Sequence, residues 1–585
     1  MNTALRTDPA NSRSSRATIR ASMTQWRSGR ASAIAAAILV VIGCLRILST
    51  YWVFSATIDE PDHIASGMEW LSRGQYNYEP KHPPLERVAG ALPLWIEGIR
   101  TIGIPDVFAE GAALLASRGQ IQHELALARA GVLVFFVLTC SVVFLWARSL
   151  FGPWIAVVCL FEFTMIPMVL GHSALVTTDS AAMATLPLAL FTFLRWVEKP
   201  SIMRLTAAGC CVGLAILAKL SAIPFLGACA GAWVVLNWIA SRRFRLPVRL
   251  NFKTLAIFFL AFFLTIWAAY RFQCEPLTAA KTVRAYRSRL APDSLLHRME
   301  LKLIEIPIPA GNLVRGLGDL AIHEQAETLQ YFEGQVSADG WKLFFPVGLA
   351  VKTPLPFLFL SLAAVILALL RFLPRRNLAI VFPGAFAMAI LLICVPSRIN
   401  LGIRHILPMY PLLAIASGLA IQAAWNSARS RVLARISVAV ALLWLGAESA
   451  VAHPDYMAYF NELTGGRPEK TLVESDLDWG QDYLRLKKTM DSLAIHRVQL
   501  SYDSKVDPAA YGVSYTRLEP CVPVAGWVAV SLHHLVFEPA AYAWLAPYSW
   551  RLVGKSIRLY YVPDPPSTPA PCPDRDDAMV MLKLK

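Results

Sequence analysis

The densest run of ionisable residues in the chain is Thr57-Ile58-Asp59-Glu60-Pro61-Asp62-His63, directly after an apolar stretch from Ala31 to Ser55. Acids at the edge of a hydrocarbon layer are costly unless they are paired or used. A helix start accounts for part of the run, with Asp59 as cap and Pro61 just inside. A general base working at the membrane face would account for the rest, so Asp59 and Glu60 are catalytic candidates. The loop ends Tyr76-Asn77-Tyr78-Glu79-Pro80-Lys81-His82-Pro83-Pro84-Leu85. Tyrosines and a lysine suit an interfacial belt, and Lys81 and His82 equally suit a phosphate at headgroup level.

A second acid, Asp179, closes Gly171-His172-Ser173-Ala174-Leu175-Val176-Thr177-Thr178 and opens another apolar run. An acid there also complements the helix dipole. Further groups at apolar ends are Lys219, Tyr270-Arg271, Lys352-Thr353-Pro354 and Arg404-His405 within Gly402-Ile403-Arg404-His405-Ile406-Leu407-Pro408-Met409-Tyr410-Pro411. Each alone could anchor a helix; together they bring acids and cations to one membrane face. Asp59 and His63, spaced i,i+4 and joined by Asp179, would also suit a divalent metal, although a capped helix gives the same spacing.

These residues converge only if the chain crosses a membrane repeatedly. Of its 585 residues, 56% are hydrophobic and 16% charged, where a soluble domain carries roughly 25% charged residues. Apolar runs at 31–55, 127–147, 153–171, 179–196, 204–220, 222–240, 254–271, 354–371, 378–395, 405–424 and 433–451 give about eleven spanning helices, since the backbone must pair internally in lipid. The first is too long for a signal peptide and lacks a small-residue cleavage site, so it is a retained anchor. The net charge of +15 reflects basic loops rather than nucleic-acid binding. Arg6 to Arg30, Arg195 to Arg204, Arg242 to Arg249, Arg371 to Arg376 and Arg429 to Arg435 all fall on one side if the N-terminus is cytoplasmic.

The opposite side receives residues 56–126, residues 272–353 and the tail 452–585. The expected organisation is a basic tail at 1–30, a membrane domain at 31–451 and an extracytoplasmic domain at 452–585. In the first outer loop, Ile64, Met68 and Leu71 share one helical face. Leu85, Val88, Leu92, Trp95, Ile96 and Ile99 form another stripe that starts at Pro83-Pro84, so both read as amphipathic helices on the membrane surface. The tail reads as a small α/β domain: strands at 471–475, 497–502, 526–532 and 556–562, and a helix from Trp479 to Leu493 capped by Asp478. Cys44, Cys140, Cys159, Cys210, Cys211, Cys229 and Cys394 lie in or beside apolar runs. Cys274, Cys521 and Cys572 fall outside them, where a Cys521–Cys572 bridge can persist. There is no CxxC and no glycine-rich nucleotide fingerprint.

With its motifs in place, the chain resembles the membrane glycosyltransferases of the GT-C fold, the group holding protein O-mannosyltransferases and the lipid A aminoarabinose transferases. The resemblance rests on Asp59-Glu60, Gly67, Gly74 and Lys81 to Leu85. It continues with His172 to Asp179, Gly340 to Pro346, Val351 to Pro354 and Arg404 to Pro411. Tyr459 to Leu463 and Asp476 to Asp482 resemble signatures of bacterial members. It implies Asp59 as the catalytic acid of the first outer loop, Asp179 as the second acidic motif, and Lys81 as the contact to a lipid phosphate. Glu79-Pro80-Lys81-His82-Pro83 is longer than the Glu-Lys-Pro spacing of the aminoarabinose transferases, so His82 stands beside Lys81 in that role.

The implied donor is a sugar on a polyprenyl phosphate, transferred with inversion to a protein, lipid A or glycan hydroxyl outside the cytoplasm. Phosphate leaves readily, so no general acid is needed at the leaving oxygen, unlike glycoside hydrolysis. Lys81, His82, Lys219, Arg404 and His405 would stabilise the developing phosphate charge. A transporter or flippase of lipid-linked sugar is the rival reading. It usually shows internal repeats and helices broken at the membrane midplane, and neither is evident. A membrane scaffold would leave the acids at Asp59 without a purpose.

Overall fold

The computed structural model describes residues 9–241, 251–277, 302, 304–323, 329–372, 378–426 and 431–566. The basic loops at Arg242 to Arg249, at Arg375 and Arg376, and at Arg429 lie outside the described residues, as does Cys572. Cys521 is disulfide-bonded.

The protein is a multi-pass α-helical membrane protein with a small sheet at its C-terminal end. The first helices are α1 (Pro9–Leu48), α2 (Glu60–Arg73), α3 (Pro84–Ile96), α4 (Val107–Ala116), α5 (Ile121–Phe151), α6 (Pro153–Thr164), α7 (Pro167–His172), α8 (Asp179–Glu198), α9 (Ile202–Ala218), α10 (Ala222–Ser241) and α11 (Phe252–Ala269). Among the described residues, six helical segments are long and apolar enough to cross a membrane: Gly29–Leu48, Ile121–Phe151, Asp179–Glu198, Ala222–Ser241, Phe252–Ala269 and Val432–Val451. Shorter apolar helices occupy Pro153–Thr164, Ile202–Ala218, Leu355–Arg371 and Leu378–Cys394. The expected span at 153–171 is divided between α6 and α7, because Pro167 lacks the N–H that a continuous helix needs. The expected span at 405–424 begins later, at Met409–Asn426, and is buried from Met409 to Ile421; the residues before it form a 3₁₀ turn, Ile403–Ile406.

The loop at 56–126 is folded more tightly than its amphipathic stripes suggest. Residues Glu60 through Glu69 of α2 are all buried, so this helix is enclosed by α3 and α4 rather than lying open on a surface. Gly67 allows it: a Cβ there would lie 2.0 Å from the Arg87 carbonyl oxygen of α3. Helix α3 does start at Pro84, and it turns Leu92 and Ile96 outward.

Short antiparallel pairs join β1 (Cys274–Glu275) to β2 (Ile308–Pro309), and β3 (Gln330–Phe332) to β4 (Gln335–Ser337). The C-terminal sheet has the order β6-β5-β7-β9-β8, where β5 is Val498–Ser501, β6 Tyr515–Arg517, β7 Gly526–Ser531, β8 Trp550–Val553 and β9 Ile557–Val562. Strands β5, β7 and β9 lie where alternation places them; β6 and β8 are short edge strands with mostly outward side chains. The strand expected at 471–475 is absent, and the chain there turns into the short helix Glu474–Leu477. The following helix spans Tyr483–Ser492, not Trp479–Leu493. Asp478 is occupied elsewhere: its Oδ2 accepts from Ser531 Oγ at 2.5 Å and from the His533 backbone N–H at 3.0 Å. The sheet domain packs on the first outer loop, with Tyr483, Leu486 and Val498 sharing one core with Ile64, Met68 and Leu114.

Candidate active site

Residues 55–58 run from the end of the first apolar helix to α2 and are fastened from the C-terminal side. The backbone N–H of Ser55 donates to the Gln481 carbonyl (3.0 Å), and that of Ile58 to the Trp479 carbonyl (3.1 Å). Asp59 then occupies the N-cap position of α2, yet its side chain makes no capping bond. It turns to Arg404, whose Nη1 donates to Asp59 Oδ2 at 2.9 Å.

Arg404 sits on the 3₁₀ turn that follows Gly402, and its Nη1 also lies 3.8 Å from Asp179 Oδ2. Asp179, the first residue of α8, holds Lys219 Nζ at 2.5 Å through its other oxygen. Lys219 reaches it because α9 ends there in an extended conformation. Four groups from four distant segments therefore alternate in charge: Asp59, Arg404, Asp179, Lys219. Asp59 is the open end, with 29% of its side chain exposed, against 1% for Asp179. The Arg404 guanidinium lies 4.3 Å over the ring of Trp479, and His172 approaches the same ring at 6.2 Å.

Buried polar atoms without a hydrogen-bond partner mark this region: Asp179 Oδ2, Arg404 Nε, His405 Nε2, both ring nitrogens of His172 and Ser173 Oγ. Native interiors leave few such atoms unpaired. A cluster of them beside an ion chain is what a polar ligand would satisfy.

Glu60 is placed differently from Asp59. It is fully buried and bound in bidentate fashion by Arg129, with Nε to Oε1 at 2.8 Å and Nη2 to Oε2 at 2.7 Å. It also accepts from the backbone N–H groups of Thr57 and Val176. With its lone pairs engaged, it ties α2 to α5 and to the loop before α8, and it is not brought into the reactive cluster.

Lys81 and His82 flank a second charged group. Lys81 Nζ lies 3.2 Å from Glu79 Oε1, and His82 Nδ1 lies 2.9 Å from Glu79 Oε2. Behind them is Arg87, fully buried on α3. Its Nε donates to His63 Nδ1 (2.7 Å), its Nη2 to Asp62 Oδ2 (3.1 Å) and to Glu79, and its Nη1 to the Glu79 carbonyl (2.8 Å). Burial opposes the Glu79 charge, but His82 and Arg87 hold its carboxyl well below the usual range. Burial pushes Asp62 upward against the pull of Arg87. His63 therefore belongs to Arg87, and the metal set of Asp59, His63 and Asp179 is not assembled. Among the described residues, no group of three or more His, Cys, Asp or Glu is disposed to hold a metal ion.

The sequence alone did not single out Arg87 or Arg129, and it offered Trp479 only within the Asp476 to Asp482 signature. A lone arginine inside the apolar stripe from Leu85 to Leu92 was the available signal for Arg87. Lys352 proves structural: its Nζ donates to the carbonyls of Met457 (2.7 Å) and Asp476 (2.6 Å), with the Phe460 ring 4.0 Å away.

Residues 120–268 match the family of dolichyl-phosphate-mannose-protein mannosyltransferases. On that match the chain is a membrane glycosyltransferase. The matched segment contains Asp179 and Lys219, and the family itself agrees with the GT-C resemblance read from the motifs. No curated protein matches the chain. Among solved structures it is similar to ArnT from Cupriavidus metallidurans bound to undecaprenyl phosphate, with TM-score 0.46 and 14% identity over 89% of this chain and 97% of that one. The apo state of the same enzyme aligns with TM-score 0.45 and 15% identity over 90% and 98% of the two chains.

Proposed function

We propose that this glycosyltransferase moves a sugar from a polyprenyl-phosphate carrier to a hydroxyl acceptor outside the cytoplasm, with Asp59 as the base. The observation that carries the reading is the position of Asp59: the most exposed end, at 29%, of an ion chain whose other members are paired and only 1–13% exposed. The matched family's own donor, dolichyl-phosphate-mannose, is a polyprenyl-phosphate sugar, which supports the choice of donor class.

A base must reach the acceptor proton, and of the two acids in the chain only Asp59 is open to do so. Arg404 bonds to Asp59 and faces Asp179, so it fixes the base and adds positive charge where the phosphate charge develops. Lys219 neutralises Asp179 and keeps that acid oriented toward Arg404. Lys81 is a third exposed and spends one of its three donors on Glu79, so it is the better phosphate contact than His82, whose Nδ1 is engaged. A single displacement inverts the anomeric carbon. The lipid tail lies among the spans, in a plasma-membrane protein whose N-terminus is cytoplasmic and whose C-terminal domain faces out.

The test is sugar transfer by the purified protein in lipid, across a panel of polyprenyl-phosphate sugars, with envelope fractions supplied as acceptors. Consumption of one donor with release of the lipid phosphate supports the reading. Movement of lipid-linked sugar between leaflets without cleavage would replace it with a flippase.

A further inference from the structure

A cleft of about 930 Å³ opens where the last apolar helix, Arg431–Val451, meets the C-terminal sheet. Ligand pockets span about 300–1,000 Å³, and the mechanism above makes no use of this one. One wall is the end of the helix, where Trp444, Glu448 and Val451 share a face at i, i+4 and i+7. The facing wall is the hairpin of β8 and β9. Trp550 and Leu552 lie on one side of it by strand alternation, and Arg558 stands opposite Leu552. The floor is the chain from Asp455 to Glu469, with Tyr459 and Glu462.

The polar groups on these walls are only partly satisfied. Glu448 accepts from the Tyr459 hydroxyl through Oε2, and its Oε1 has no partner. Arg558 lies 3.6 Å from Glu469 and 4.3 Å over the Trp550 ring, yet its Nε has no partner. Glu462 forms no ion pair among the described residues. Four carboxylates, Glu448, Asp455, Glu462 and Glu469, line the cleft beside two cations, Lys555 and Arg558. That balance repels a phosphate, so the cleft is not a second seat for the donor. Carboxylates accept from hydroxyls. The half-exposed Trp550 ring has Arg558 over one face and offers the other to the C–H side of a sugar ring. We propose that the cleft binds the phosphate-free saccharide head of a membrane-anchored glycolipid, the acceptor of the reaction.

The inference rests on the glycosyltransferase reading, whose acceptor class it names. The lipid anchor follows from the helix. Its Val440, Leu443 and Val451 are exposed apolar residues that lead from the hydrocarbon layer to the mouth of the cleft, so an alkyl tail can stay in the layer while the head enters. The strap from Glu474 to Gln481 joins the cleft to the ion chain: Leu477 lines the cleft, and Trp479, two residues on, lies under Arg404. Asp455 and Ala458 are shared in the same way, since they also line the small void that reaches Thr57 and Gly171. A head of several sugars seated in the cleft is thereby kept beside the centre while a distal hydroxyl reaches the base.

The test titrates the full-length protein in lipid nanodiscs with a dialkylglycerol bearing a mannose trisaccharide, the same lipid with a phosphorylated trisaccharide, the lipid without sugar, and a tetralysine peptide. Wild type should bind the neutral glycolipid most tightly. Trp550→Ala and Glu462→Ala should each weaken that binding by about tenfold, the loss of an aromatic anchor or of a hydrogen bond to a charged group. Both residues are exposed, so the unfolding midpoint should not move, and either variant alone decides if the other fails to fold. In transfer assays with envelope fractions as acceptor, the same variants should raise the amount of envelope needed for half-maximal rate and leave the donor KM unchanged. Wild-type binding in both variants, tighter binding of the phosphorylated or sugar-free lipid, capture of tetralysine in place of the glycolipid, or a change confined to donor KM would each overturn the proposal. Glycolipid binding that depends on Trp550 and Glu462, with no transfer from any donor, would instead overturn the glycosyltransferase reading and leave the glycolipid site standing.

Discussion

Asp59 and Glu60 are neighbours in sequence and opposites in structure. Asp59 has a single cation partner and an open face toward solvent. Glu60 is sealed between Arg129, two backbone N–H groups and the start of the bundle. The same contrast separates the larger clusters around them. The chain Asp59–Arg404–Asp179–Lys219 is bordered by polar atoms without partners, whereas Glu60–Arg129 and Glu86, which accepts from Ser180 and the Ala181 backbone N–H, have nothing left to bind. Charge at a membrane face is thus used in two ways here. Closed pairs tie the helices of the loop at 56–126 to their neighbours; the open chain is bordered by polar atoms that a ligand could satisfy.

The sharpest way to break this comparison is to neutralise each acid in turn. Asp59→Asn should lower turnover by about 10²–10⁴-fold, the range for a lost general base, with thermal unfolding unchanged. If turnover survives, Asp59 is not the base and the open chain is only a staple. Glu60→Ala should do the reverse. Removing one partner of a buried pair typically costs about 3–5 kcal/mol of stability, so the unfolding midpoint of the variant in lipid should drop well below that of wild type. A Glu60 variant that melts normally but fails to turn over would return Glu60 to the catalytic set that the sequence suggested.

Asp59 and Asp179 were legible because each stands at a boundary between apolar and polar chain, and their partners Arg404 and Lys219 stand at similar boundaries. Which acid pairs with which cation was not legible. That depends on how segments 40 to 345 residues apart pack, and local periodicity does not encode it. Glu60 was misplaced for the same reason: its ligand Arg129 lies within an apolar helix. The strap at 474–482 was misread as a strand followed by a capped helix. Asp478 was read as a helix cap, but it and Asp482 are held by Ser531, His533, Lys555 and Ser556 of the sheet segment. The three strands with clear alternation were found, and the two short edge strands carried too few inward residues to register.

Lys81 and His82 extend the comparison to the phosphate side. Lys81 and His82 are about equally exposed and both pair with Glu79, but Lys81 keeps two spare donors and a full charge, so Lys81→Ala should raise the donor KM by about tenfold or more, the loss expected for a charge-assisted hydrogen bond. His82→Ala should act chiefly through Glu79, with a smaller change in KM and a lower unfolding midpoint. Equal KM effects would mean that the longer Glu79-Pro80-Lys81-His82 spacing places both side chains on the phosphate.

The smallest expected effect concerns Trp479, where the open and closed regions meet. Its carbonyl accepts from Ile58 and so steadies the approach to Asp59, while its ring lies under Arg404. Trp479→Leu keeps the backbone contact and much of the apolar volume but removes the aromatic face. A desolvated cation–π contact contributes about 0.5–2 kcal/mol, so the rate should fall by a few-fold to about thirtyfold. On the proposed mechanism, in which Arg404 positions the base, the fall should appear in kcat more than in donor KM. Restoring an aromatic face with Trp479→Phe should recover part of the loss. If leucine and phenylalanine behave alike, the ring serves only to fill space between Leu175 and Met457, and Arg404 is held by its carboxylates alone.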